Sequence, residues 1–129
     1  MTSQIFRAGA RVLMPLLLLF AVFLLLRGHN QPGGGFVAGL VSAAAFALYA
    51  MAFGTERARR ALQVEPLTLL GAGLLIALGS GLPAVLRGGP FMTAVWADGL
   101  GTPLVFDVGV CLVVTGVVLM MIFSLAEEP

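Results

Sequence analysis

Four stretches of this sequence are apolar over about the length that a lipid bilayer demands: Val12 to Leu26, Phe36 to Phe53, Leu67 to Leu86 and Leu104 to Leu125. The first three hold no charged side chain and the fourth holds one, Asp107. A helix rises about 1.5 Å per residue and the hydrocarbon core is about 30 Å thick, so about 20 such residues make one crossing. The first stretch is short by that measure. Arg11 and Arg27 at its ends can extend their charged heads towards the headgroups, and its helix is expected to begin earlier, near Ile5 or Phe6. Only 10% of the 129 residues are charged and 60% are hydrophobic, whereas about a quarter are charged in a soluble domain, so there are too few ionisable groups to coat a globular surface. Barrel strands are excluded, because no run of about ten residues alternates polar with apolar positions. The predicted fold class is all-α and integral to the membrane. One domain over residues 1–129 holds four transmembrane helices at about 6–26, 36–53, 67–86 and 104–125, in an antiparallel bundle.

Pro15 is expected in the first turns of the first helix, where a missing N–H costs least. A cleavable signal peptide competes for this segment, but Leu24-Leu25-Leu26-Arg27-Gly28-His29 offers no small-x-small cleavage site, so the helix is expected to be retained. An even number of crossings puts both termini on one side. Arg7, Arg11, Arg57, Arg59 and Arg60 lie at the N-terminus and in the loop after the second helix, and only Arg27 and Arg87 lie in the other loops. That bias predicts both termini and the Glu56 to Pro66 loop in the cytoplasm. Contact with anionic lipid is the alternative role for the loop arginines. A net charge of +1 with no clustered basic face gives no basis for a nucleic-acid partner.

Small residues predict how the helices pack. Gly35, Gly39, Ala43 and Ala47 repeat every four residues in the second helix, and Gly73, Ala77 and Gly81 do so in the third, so each offers a narrow groove to another backbone. The longer Gly88 to Gly101 loop carries Phe91 and Trp96, which suit the interface between lipid and water.

Two segments could carry chemistry. In the first, Arg27-Gly28-His29-Asn30-Gln31-Pro32-Gly33-Gly34-Gly35-Phe36, the glycines permit positive φ and close backbone approach, and Pro32 fixes the entry to the second helix. It reads as a tight connection, as a cradle of N–H groups next to Arg27 that takes an anion or docks a neighbouring protein, or as a loop whose His29 relays protons. In the second, Gly101-Thr102-Pro103-Leu104-Val105-Phe106-Asp107, Thr102 is the expected N-cap and Pro103 the first helical residue. Asp107 then lies just over one turn inside the fourth helix, with Cys111 and Thr115 below it at i+4 and i+8. A carboxylate there is costly unless it faces protein or water, and Asp107 reads as a structural bond to a neighbouring helix or subunit, as the lining of a path for H⁺ or Na⁺, or as a near-interface carboxylate with no partner. The sequence has one histidine and one cysteine, Cys111, far apart, so no metal site, cofactor site or nucleophile and base pair is expected, and the chain does not read as an enzyme.

At these two segments the chain resembles the B subunits of the multisubunit Na⁺/H⁺ antiporters known as Mrp or Mnh, the MnhB family. The matching stretches are GHNQPGGGFVAGL, Gly28 to Leu40, and GTPLVFDVGVCLVVTG, Gly101 to Gly116. The likeness extends over nearly the whole chain, with Cys111 standing where many relatives are expected to have tyrosine. It implies an assembly in the bacterial inner membrane in which the MnhB-type protein accompanies the A, C, D, E, F and G subunits. It also implies that Na⁺ and H⁺ move through the complex by way of the large subunits. On this basis the expected role is that of an accessory subunit whose second and fourth helices face other subunits, with the Gly33 to Phe36 turn and Asp107 as contacts. The alternative is a B-like membrane subunit of a redox-driven respiratory or hydrogenase-type complex.

Overall fold

The computed structural model describes residues 4–27, 34–82, 86, 96–97 and 100–127. α1 (Gln4–Arg27) and α2 (Gly35–Phe53) are continuous helices. They are followed by the short α3 (Thr55–Leu62), then α4 (Pro66–Gly79) and the long α5 (Thr102–Glu127). Two-residue strands β1 (Trp96–Ala97) and β2 (Leu100–Gly101) pair antiparallel just before α5, Trp96 opposite Gly101 and Ala97 opposite Leu100. Among the described residues four stretches are long and apolar enough to cross a membrane: Gln4–Arg27, Gly35–Phe53, Thr55–Gly79 and Leu104–Glu127.

Three boundaries differ from expectation for local reasons. α1 begins at Gln4, so Pro15 sits mid-helix rather than in the first turns, and its missing N–H leaves the Arg11 carbonyl without its usual donor. α4 ends at Gly79 instead of continuing to Leu86. Gly79-Ser80-Gly81 is a poor helix former, and the Ser80 hydroxyl donates to the Ala77 carbonyl at 2.6 Å while its N–H closes on Ile76. The Glu56 to Pro66 segment, expected as a loop, contains α3. Glu56 in its first turn and Arg59 and Arg60 in its last complement the helix dipole. Gly54 at φ 96° turns the chain out of α2, and Gln63 at φ 71° ends α3 in the left-handed region.

Consecutive membrane helices alternate in direction, yet their order in space is α1, α2, α5, α4, so the central pair, α2 and α5, runs parallel. α5 is the hub. Its fully buried Phe123 and Leu119 meet Ala43 and Phe46 of α2 and Ala58 of α3, with Met14 and Leu18 of α1 packed against them. The outer faces of α1 (Leu16, Leu19, Phe23) and α4 (Leu67, Leu75, Leu78) stay exposed, as surfaces turned towards hydrocarbon or other membrane helices do.

Candidate functional site

Both sequence motifs meet where α2 begins. Gly34 adopts φ 100°, which only glycine takes without strain, and its N–H donates to the Leu24 carbonyl of α1 at 3.1 Å. That bond ties the end of α1 to the start of α2. A side chain on Gly34 would point at Asp107, its Cβ 3.8 and 3.9 Å from the two carboxylate oxygens. On Gly35 a Cβ would collide with the Asp107 carbonyl oxygen and stand 3.0 Å from the Val110 Cβ. The carboxylate is half-buried, beside the N-terminus of α2 and within the second turn of α5.

Below Asp107 the seam closes. A Cβ on Gly39 would lie 2.7 Å from the Val114 Cβ and 2.9 Å from the Cys111 carbonyl. Thr115, 4% exposed, donates to the Cys111 carbonyl at 2.8 Å, and its oxygen stands 3.3 Å from the Gly39 carbonyl across the seam. Ala43 continues the line into the core. The Asp107, Cys111 and Thr115 stack therefore faces the Gly35, Gly39 and Ala43 stripe, with backbone against backbone and no room for a hydrated cation between them.

The opposite face of α5 takes up α4 in the same way. A Cβ on Gly73 would lie 2.6 Å from the Gly109 carbonyl oxygen, and one on Gly109 2.6 Å from the Ala77 nitrogen. Gly81 is buried in the turn after α4. Both expected grooves are thus filled from within the chain by α5. The small residues of α5 that could have announced this pairing, Gly109 and Gly116, stand on opposite sides of Thr115 in the sequence.

Of the other candidates, Arg27 is half-buried at the end of α1 with its guanidinium 5.4 Å above the Phe23 ring, and Phe36 is exposed on α2. α5 starts at Thr102, one residue before the expected first helical position at Pro103. His29, Asn30, Pro32 and Gly33 lie outside the described residues. Among the described residues no group of His, Cys, Asp and Glu could hold a metal.

The other end of the molecule carries an arginine cluster whose structural role is not announced by the charge bias. Arg59 bonds both oxygens of Glu127, at 2.7 and 3.0 Å, and also Glu65 at 3.2 Å, while its guanidinium lies 5.0 Å over Phe123. It pins α3 to the C-terminal end of α5. Alternating charge and the Ala58 to Leu62 spacing are the sequence signals that could reveal α3.

Comparison with known proteins places the chain. Residues 5–120 match the family model described as a domain related to the MnhB subunit of Na⁺/H⁺ antiporter. The B subunit of the Na⁺/H⁺ antiporter of Bacillus subtilis (strain 168) is 35% identical over 96% of this chain and 93% of its own length. A protein of Rhizobium meliloti (strain 1021), named as the probable A/B subunit of a K⁺/H⁺ antiporter, is 34% identical over 92% of this chain, which spans only 13% of that longer protein. The solved structure of the Mrp complex from Dietzia sp. DQ12-45-1b contains a chain that superimposes with a TM-score of 0.82 at 35% identity. The match covers 97% of the present chain and 15% of that one.

Proposed function

Because the chain belongs to the family of domains related to the MnhB subunit of Na⁺/H⁺ antiporters, we propose that it serves as an accessory integral-membrane subunit of a multisubunit cation/proton antiporter, needed for assembly and coupled exchange and moving no ions by itself. It acts as one membrane domain, is not an enzyme, and lies in the bacterial inner membrane with both termini in the cytoplasm. Its partners are the A, C, D, E, F and G subunits of the antiporter, and Na⁺ and H⁺ pass through the complex they form. The relatives are named for Na⁺ in one case and K⁺ in another, which fits a protein that does not itself select the cation. No matched relative described above is named as part of a redox-driven complex, and the antiporter is the function adopted.

The observation that carries this function is the closed α2 and α5 seam around the one carboxylate well inside an apolar span. Proton-coupled exchange needs titratable groups across the bilayer, and a dehydrated cation needs several oxygen ligands. A single half-buried Asp107 above a seam of glycine and valine supplies neither. Its role is that of a lock: the carboxylate at the start of α2 holds the α1, α2 and α5 ends together. Arg27, Phe36, and His29, Asn30, Pro32 and Gly33 of the adjoining turn then form the end of the chain that meets other subunits.

Antiport measured in proteoliposomes tests this directly. Complex purified from cells carrying the full subunit set should exchange Na⁺ for H⁺. The chain alone at equal density should show no Na⁺-dependent proton flux, and cells lacking it should yield little intact complex. Flux from the chain alone would overturn the proposal, as would an intact, fully active complex without it.

A further inference from the structure

The end of the molecule that carries α3 gathers arginines from two helices around an aromatic ring of a third. The guanidinium carbons of Arg7 and Arg11 on α1 and Arg57 on α3 stand 5.9, 5.2 and 4.8 Å from the centre of Phe53, the last residue of α2. Those distances hold the three charges about as close together as the roughly 10 Å over which salt screens them. The π face of Phe53 attracts each cation but carries no net charge.

The nearby carboxylates are paired with Arg59 and Arg60, not with Arg11 or Arg57. Glu56 pairs with Arg60 at 3.3 Å, and Glu65 and Glu127 pair with Arg59. Among the described residues no carboxylate lies within ion-pair distance of Arg11 or Arg57. Tyr49 packs at a tilt of 35° against Phe53 with ring centres 4.7 Å apart and, with Arg57, Arg60 and Ala61, lines an open cleft of about 240 Å³. A phosphodiester group fits such a cleft: two guanidinium forks suit its anionic oxygens and a phenol can donate a further bond.

We infer that Arg57, Arg60 and Tyr49, which line this cleft, form together with Arg11 beside the Phe53 ring a binding site for the phosphate of an anionic glycerophospholipid. Position favours a lipid over a free anion of the same chemistry. The site lies at the end of two membrane helices, and the turns of α1 that follow Arg11 present exposed Val12, Leu16 and Leu19, against which an acyl chain can lie. Lipid phosphates stand at this depth at high local concentration.

Native mass spectrometry of the full-length chain in detergent micelles tests the site, with dioleoyl phosphatidylglycerol, dioleoyl phosphatidylcholine and inorganic phosphate as probes. The phosphatidylglycerol adduct should be at least tenfold more abundant than the phosphatidylcholine adduct. It should fall about tenfold in the Arg11→Gln, Arg57→Gln double variant, whose far-UV circular dichroism checks that the helices persist. Millimolar inorganic phosphate should not displace it. Equal retention of both lipids by the unaltered chain, a comparison that depends on no variant, would overturn the inference. So would undiminished binding in the folded double variant, and displacement by inorganic phosphate would overturn the assignment to lipid.

Discussion

Gly73 and Gly109 face each other across α4 and α5, each occupying the space where the other's side chain would stand. A Cβ on Gly73 would lie 2.6 Å from the Gly109 carbonyl oxygen, and one on Gly109 2.7 Å from the Gly73 carbonyl oxygen. Helices that approach this closely gain van der Waals contact along their backbones, which in lipid replaces the hydrophobic drive available in water. Gly116 repeats the contact about two turns on, against the Pro66 carbonyl and the Leu70 nitrogen.

Gly73→Val and Gly109→Val should therefore each force α4 away from α5, at a cost of about 1–3 kcal/mol for overpacking. The thermal unfolding midpoint in detergent should fall in both. Gly71, two residues from Gly73, has nothing within 4 Å of a Cβ position, so Gly71→Ala should hold or raise the midpoint, since alanine in a helix is better than glycine by about 0.5–1 kcal/mol. An equal loss at Gly71 and Gly73 would mean that helix propensity, and not the close contact, sets the effect.

The same geometry sets the effect of Gly39→Leu. Because the α2 groove is filled by Val114 and the Cys111 carbonyl of the same chain, the added side chain should lower the yield of folded chain even when the chain is expressed without its partners. Fluorescence-detected size exclusion of a tagged chain measures this. A normal monodisperse peak, together with loss of the chain from the assembled complex, would show instead that Gly39 faces a different protein of the complex.

Much of this is legible in the sequence for a simple reason. In lipid the backbone must satisfy itself, so charge-free runs report helices almost directly, and three of the four expected spans fall within two or three residues of the observed helices at both ends. The glycine and alanine repeats report which faces are narrow, but a repeat carries no information about its partner, and the occupant of both grooves, α5, emerges only in three dimensions. α3 escapes a bilayer criterion because Glu56, Arg57, Arg59 and Arg60 count there only as polar, whereas at an interface one apolar side formed by Ala58 and Leu62 is enough to seat a helix. The contact of Asp107 with Gly34 and Gly35 joins segments far apart in sequence, and no local pattern announces it.

Asp107→Asn separates charge from shape. The amide is nearly isosteric and keeps the contact with Gly34, but it loses the attraction of a carboxylate to the N-terminal end of α2, worth about 0.3–1 kcal/mol in an exposed setting and up to about 2 when partly buried. The variant should unfold a few degrees earlier while the assembled complex retains wild-type Na⁺-dependent proton flux per molecule. Intact assembly with flux abolished would identify Asp107 as part of an ion path. Asp107→Leu, which removes the polar group and adds branching against Gly35, should reduce folded chain further.

The last prediction concerns how α3 is held. Ala58 is fully buried against Phe46, Leu119 and Phe123, whereas Ala61, three residues on, is exposed beside Arg57 and Arg60. Ala58→Leu should overfill that core, lift α3 from α5 and draw Arg59 away from Glu127 and from the Phe123 ring. Ala61→Leu should leave those contacts in place. A cysteine introduced at Leu62, which packs against the same cluster, reads the difference through its rate of modification by a membrane-impermeant maleimide. The rate should rise severalfold in the Ala58→Leu background and stay unchanged with Ala61→Leu. Equal rates in both backgrounds would mean that the ion pairs of Arg59, rather than the buried alanine, seat the helix, and Arg59→Gln would then be the variant that exposes position 62.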